Sequence, residues 1–282
     1  MELELNVRVL EMTDEEYVGL IKDKYLRIRI HNGVLWKEVA PFFWRPVFHY
    51  LKYDKLDIQL PDSFHLGGFQ YPIIEERNAN STINYYIFNN VLEYDISRVS
   101  RNERKRVLQS MKYLEVKIES DISTFNEKSY PVYKSFYNRS AYKYKRDRVR
   151  SSNYTEWVNK LFESGKTIVL GVYDNNTMVG VLTMVYIRNV VVLLTQFTHT
   201  DYLYKKPSDL LYHAARMIAS KIEGIRFIYA GMVSDEKGVN DFKEMRGASL
   251  IKSPSYYYIN PIASTVLKYF WKQSYRKILG AV

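Results

Sequence analysis

The chain of 282 residues contains no cysteine. That absence excludes a disulfide framework, a thiolate nucleophile and any Cys-ligated metal, and it suits a reducing compartment. Also missing is any apolar run approaching the roughly 20 residues needed to cross a bilayer. The nearest stretch, Met178 to Phe197, is interrupted by Arg188-Asn189 and reads as a hairpin. The first residues, Met1-Glu2-Leu3-Glu4, lack the basic and apolar blocks of a signal peptide, so the expected location is the cytoplasm. The five histidines, His31, His49, His65, His199 and His213, show no ligand spacing, and no metal is expected. There is no Gly-x-Ser-x-Gly elbow. Leu66-Gly67-Gly68-Phe69 lacks the Gly-Lys-Ser/Thr ending of a phosphate loop, although adjacent glycines permit close backbone approach. No repeat of roughly 20 to 50 residues is present, which argues against a solenoid.

What is present describes a folded chain. Hydrophobic residues make up 46% and charged residues 26%, which is a globular balance and not a disordered one. The formal charge is +10. Such a charge fits a nucleic-acid partner, an anionic membrane, a phosphorylated substrate or a merely lysine-rich surface. The 26 tyrosines imply many part-buried amphipathic rings.

Local patterns order the chain. Asn6 to Glu11 alternates as a strand, and Thr13 with Glu16 forms a capping box. Leu26 to Ile30 reads as extended. Val34 to Tyr53 is aromatic-rich, and its rings (Trp36, Phe42, Phe43, Trp44, Phe48, Tyr50) read as core. Asn84 to Phe88 and Val91 to Tyr94 look strand-like, and Ser97 or Ser100 caps a basic helix reaching about Tyr113. From Leu114 the order becomes regular. A strand to Ile118 precedes helices at about 127–140 and 154–163, the second closed by Gly165. Three strands follow, at Thr167–Tyr173, Met178–Ile187 and Val190–Phe197. Then come a helix from Pro207 to Gly224, a strand Ile225–Ala230, a short helix with Phe242 and Lys243, and a strand Tyr256–Ile259. The last segment, Ser264 to Leu279, is amphipathic and basic. It reads as docked on the body, with membrane contact as the other reading.

The basic helix from Ser100, the stretch Tyr204-Lys205-Lys206-Pro207-Ser208-Asp209-Leu210-Leu211, the stretch Gly224–Gly231, and Gly238 to Ala248 with its Phe-Lys then Gly-Ala pattern together resemble the FemAB-like branch of the GNAT fold. The similarity covers about Gly67 to Pro261. It implies an α/β (α+β) protein of tandem GNAT-like lobes, with mixed, mainly antiparallel sheets flanked by helices. A degenerate N-terminal lobe would occupy 1–113, and the acyltransferase lobe with a terminal amphipathic helix 114–282. One departure stands out: the glycine-rich turn with which ordinary GNAT enzymes wrap the pyrophosphate of acetyl-CoA is replaced by Lys205-Lys206-Pro207. The resemblance therefore implies an acyl donor that is either a CoA thioester or an aminoacyl-tRNA, and an acceptor amine of unknown identity.

Acyl transfer needs a clamped donor carbonyl, proton management and an oxyanion donor. In such a scaffold a splayed strand pair supplies the clamp, here Val190–Phe197 and Ile225–Ala230, with Thr195 and Gln196 at its open end. Lys205, Lys206, Ser208 and Phe242 complete the expected donor-binding set. Candidate catalytic residues are Lys243, carried over from the family's Phe-Lys pair, together with His199, Asp201 and Tyr202. The alternative for Lys243 is a helix that packs Val239, Phe242 and Met245 and leaves the lysine in solvent. The acceptor or nucleic-acid candidates are Arg104 and the mixed aromatic and cationic run holding Lys143, Lys145, Arg146, Arg148 and Arg150. The competing function is an inactive GNAT-fold module that holds nucleic acid or an anionic ligand in a basic cleft. Oligomeric state is not legible.

Overall fold

The computed structural model describes residues 7–22, 26–54, 58, 60–140, 145–270, 272 and 275–276. They form two compact units, each gathered from distant stretches of chain. The first holds Met1–Leu20, Tyr86–Gly231 and Glu236–Ser249. The second holds Ile21–Tyr85, Met232–Asp235 and Leu250–Val282. This partition differs from the linear halves 1–113 and 114–282, because the end of the chain returns to strands near its beginning.

In the second unit, β1 (Ile28–His31) and β2 (Val34–Ala40) form a hairpin across Asn32-Gly33, both at positive φ. That is the two-residue turn whose twist matches paired strands. β3 (Phe43–Pro46) runs antiparallel to β2, β4 (Gly68–Pro72) parallel to β3, and β11 (Ser249–Ile259) antiparallel to β4. Trp36, Trp44, Phe64, Phe69, Tyr71 and Ile73 make its core. The aromatic run is core as expected, except that Phe42 is exposed. Gly67 fulfils the close-approach expectation, since a Cβ there would overlap the Phe42 carbonyl.

The first unit carries the regular order read from Leu114. Its strands are the end of β5 (Ser81–Phe88), then β6 (Glu115–Ile118), β7 (Ile168–Asp174), β8 (Thr177–Ile187), β9 (Val190–Thr198) and β10 (Phe227–Met232). The spatial order is β10-β9-β8-β7-β6, parallel between β10 and β9 and antiparallel elsewhere. β8 and β9 turn through Arg188-Asn189, both left-handed. The helices are α1 (Asp14–Ile21), α2 (Arg101–Ser110), α3 (Ile122–Arg139), α4 (Ser151–Glu163), α5 (Pro207–Ala219) and α6 (Lys237–Glu244). α1 begins with the expected reciprocal cap, Glu16 N–H to Thr13 Oγ1 and Thr13 N–H to Glu16 Oε2.

Strand alternation assigns the helices to faces. Val181 of β8 lies in one core cluster with Tyr133 of α3 and Trp157 of α4. Its neighbour Gly180 is open to Pro207 and Leu211 of α5. α3 and α4 therefore cover one face, and α5 the other.

Several boundaries depart from the sequence reading. Val91–Glu93 is a 3-10 turn, not a strand, because Asn90 before it is left-handed. The expected strand from Asn6 reduces to a single bridge, Glu11 to Tyr186, and Asn6 itself lies outside the described residues. α3 starts at Ile122, where Asp121 caps it, and runs through Pro131. α4 starts at Ser151, and α5 ends at Ala219, short of Gly224. β11 is seven residues longer at its start than the Tyr256–Ile259 reading.

Candidate active site

β9 and β10 pair over three rungs only: Phe227 with Val190, Ile228 with Val191 and Tyr229 with Val192. Both strands continue, as Leu193–Thr198 and Ala230–Met232, with no further rung between them. The cause sits in β9. Against β8, Thr195 faces Thr183 and Leu193 faces Met184, so Leu194 is an extra residue in the ladder. A bulge bends its strand and increases local twist, and this one lies just where the β10 pairing stops. Backbone groups on that edge of β9, obligatory hydrogen-bonding groups, therefore face an opening.

The opening is framed by the start of α5. Gln196 Nε2 donates to Ser208 Oγ at 2.9 Å, tying the open end of β9 to the helix's first turn. Pro207 is the first residue of α5 and has no N–H to offer. The Asp209 N–H is bonded to the Lys206 carbonyl at 3.0 Å, and its carboxylate is buried between Arg106 (2.8 Å) and Arg246 (3.0 Å). Lys206 is left-handed at φ 60°. Lys205 is committed to Asp174 at 2.5 Å, so its charge is balanced within the fold. The hydrogen bond to Asp174 holds its ammonium above the ordinary lysine range.

Lys243 of α6 sits beside the end of β10. It is 8% exposed, whereas Met245 is 56% exposed, so α6 presents the lysine inward and the methionine outward. Its Nζ lies 3.4 Å from where a Cβ would stand on Gly231, the left-handed residue near the end of β10. It also lies 5.1 Å from the centre of the Tyr86 ring. Burial lowers its pKa to about 8. α6 is held in this orientation by polar ties. Tyr86 donates to Glu244 at 2.6 Å, Arg246 reaches Asp209, and Phe242 lies between the Arg246 guanidinium (3.6 Å) and the Tyr212 ring (5.7 Å).

The other candidates fall in separate places. Thr195 and Gln196 are at the opening. His199, Asp201 and Tyr202 follow the end of β9 in a 3-10 turn, Thr200–Lys205. There His199 and Tyr202 meet edge to face at 5.5 Å, and Asp201 N–H donates to His199 Nδ1 at 3.3 Å. The turn is fixed to α3 through Thr200 and Ser135. Lys145, Arg146 and Arg150 are exposed. Their loop is anchored by Tyr133 to the Lys145 carbonyl and Tyr130 to the Val149 carbonyl, and Arg148 stacks on Trp157 at 4.4 Å. Lys143 lies outside the described residues. Arg104 is exposed on α2, which packs on α5. It thus belongs to the opposite face of the sheet from the 145–150 loop, and the structure does not gather the two into one groove.

Sequence reading missed Gly231, Tyr86 and Leu194. Gly231 ends one of the stretches that carried the resemblance, and its glycine identity was the available signal. Tyr86 and Leu194 gave none, since both look like ordinary strand residues. The described residues contain no cluster of acids and histidines able to hold a metal, and no described helix is long and apolar enough to cross a membrane.

No family model and no curated protein matches the sequence. The fold, however, matches solved structures. The C-terminal DUF2156 domain of a putative lysylphosphatidylglycerol synthetase from Agrobacterium fabrum superposes with a TM-score of 0.60 at 11% identity, over 96% of this chain and 94% of that one. FemX gives 0.59 at 11% identity, over 90% and 93%. L-PGS from Bacillus licheniformis gives 0.54 at 10% identity, over 94% and 91%.

Proposed function

The chain has a FemAB-like GNAT fold, and from that premise we propose that it is an acyltransferase, moving an acyl or aminoacyl group to an amine acceptor. The observation that carries the reading is the parting of β9 from β10 after three rungs; the buried Lys243, beside Gly231 near the end of β10, is the proposed oxyanion donor. In the proposed reaction the exposed edge of Leu193–Gln196 binds the donor chain, and the acyl carbonyl lies toward Lys243. The acceptor nitrogen attacks that carbonyl. The protonated Lys243 donates a hydrogen bond to the oxygen as negative charge develops on it. A half-dry site strengthens such a contact. The tetrahedral centre then collapses and expels the donor's thiolate or ribose hydroxyl. The proton lost by the acceptor nitrogen balances the one gained by the leaving group, and Tyr202 and His199 are the proposed carriers.

Between the two donor classes, the first turn of α5 favours the aminoacyl ester. A helix start suits a pyrophosphate when its N–H groups are free and no anion competes. Here Pro207 has none, the Asp209 N–H is bonded, and a buried carboxylate occupies the turn. One structural neighbour is named as a putative lysylphosphatidylglycerol synthetase, and lysylphosphatidylglycerol is likewise an aminoacyl compound. The inactive-module alternative has no such observation behind it, because Arg104 and the 145–150 loop lie on opposite faces. The test is a thermal-shift panel of acetyl-CoA, long-chain acyl-CoA, a set of aminoacyl-tRNAs and uncharged tRNA. A donor raises the melting point in proportion to occupancy. Stabilisation by aminoacyl-tRNA beyond that by uncharged tRNA supports the reading, and equal stabilisation by both without turnover supports the module.

A further inference from the structure

The final described helix, α7 (Pro261–Phe270), turns the wrong side outward for a helix docked on a soluble body. Only Leu267 is buried, against Ala40 and Phe43. Ile262, Val266, Tyr269 and Phe270 recur at i, i+4, i+7 and i+8, the spacing of one helix face. All four are exposed, Ile262 and Tyr269 at 78% and Phe270 at 76%. The docking expected from the sequence is thus confined to Leu267 among these residues, while Trp271 and Ile278 lie outside the described residues.

Two more apolar side chains of the same unit stand out beside the helix start. Asn260 caps α7 through its carboxamide oxygen and donates its own N–H to the Gly67 carbonyl. Next to Gly67 is Leu66, 73% exposed. The Gly68 N–H is bonded to the carbonyl of Phe42, whose ring is 60% exposed. Phe42 is left-handed at φ 59°, a conformation costly for a bulky residue. A turn that needed only to turn would carry Gly or Asn there.

Charge identifies the occupant. After Glu244 the sequence has no Asp or Glu, yet it has Arg246, Lys252, Lys268, Lys272, Arg276 and Lys277. Lys268, Lys272 and Arg276 are exposed and helical, and they sit to one side of the apolar stripe on the wheel. Aromatic and aliphatic tips flanked by cations describe a helix lying in the headgroup layer of an anionic bilayer. A second copy of the chain presenting the same face would bring these cations against their equals, with no acid in the segment to offset them.

We propose that α7, with Phe42 and Leu66, is a surface that docks the protein on an anionic lipid bilayer. The test is co-sedimentation of the whole chain with extruded vesicles of phosphatidylcholine alone or mixed equally with phosphatidylglycerol, at about 0.1 M salt. The expected result is partitioning at least tenfold stronger to the mixed vesicles. Tyr269→Ser with Phe270→Ser should abolish it, and Lys268→Glu with Lys272→Glu should weaken it at least tenfold. Both pairs are exposed, so unchanged circular dichroism and melting are expected. Absent binding, or equal binding to both vesicle types, overturns the proposal. So does a concentration-dependent dimer lost in the Tyr269→Ser, Phe270→Ser variant without any vesicle binding, which would make the face a contact between copies.

Discussion

Lys243 concentrates the argument at the scale of one residue. Burial lowers its pKa to about 8, so at neutral pH it is still largely a cation, yet a poorly solvated one. If its work is to donate to the developing oxyanion, the donor is lost as pH rises through about 8. The turnover of a saturated enzyme should therefore fall above that value. Turnover that keeps climbing beyond pH 9 in a stopped-time assay would assign the lysine to base chemistry instead. Lys243→Ala should lower kcat by about 10² to 10³, the usual cost of one oxyanion donor, with an unchanged circular dichroism spectrum. The lysine itself was legible from the Phe-Lys pair. Its burial was not, because Val239, Phe242 and Met245 have the spacing of a packing face. What turns α6 the other way is polar: Glu244 on Tyr86 and Arg246 on Asp209.

Elements show the same division between what local pattern encodes and what only long-range partners decide. The β8–β9 hairpin was plain in the sequence, since two residues at Arg188-Asn189 separate long apolar runs. The bulge at Leu194 was not, for Val190–Phe197 alternates no differently from a regular strand. Deleting Leu194 should restore the ladder to β8 and let β9 continue along β10. A folded but inactive variant with slowed amide exchange is expected, and full activity would detach the opening from catalysis. Asp209 is a comparable case on α5. Placed in the first turn of the helix, it proves to be buried between two arginines. Asp209→Ala would leave both unpaired and should cost about 3–5 kcal/mol in a urea titration. Deeper in α5, burial pushes His213 down to about 4, beside Tyr94 at 2.7 Å. The unfolded chain takes up this proton from about pH 6.5 and the native one only near 4. Between those values the unfolded state binds more protons, so stability falls on acidification. His213→Gln should flatten that decline.

Across the whole molecule, each compact unit closes through segments far apart in sequence. β11 and α7 join β1 to β4 in one unit, while 7–20 join β8 in the other. Periodicity reports nothing of such closures, which is why linear halves came naturally from the sequence and interleaved units from the structure. The regular order from Leu114 was readable because each element there is long, apolar and punctuated. The central claim is that the unpaired edge of β9 grips an activated acyl donor. Hydrogen–deuterium exchange, resolved to single amides, tests it most directly. In the free protein, the amides of Leu193–Thr198 that face away from β8 should exchange faster than those of Val190–Val192. Adding an aminoacyl-tRNA or acyl-CoA that supports turnover should slow those same amides. Slow exchange there in the free protein, or a working donor that leaves them unprotected, would contradict the account.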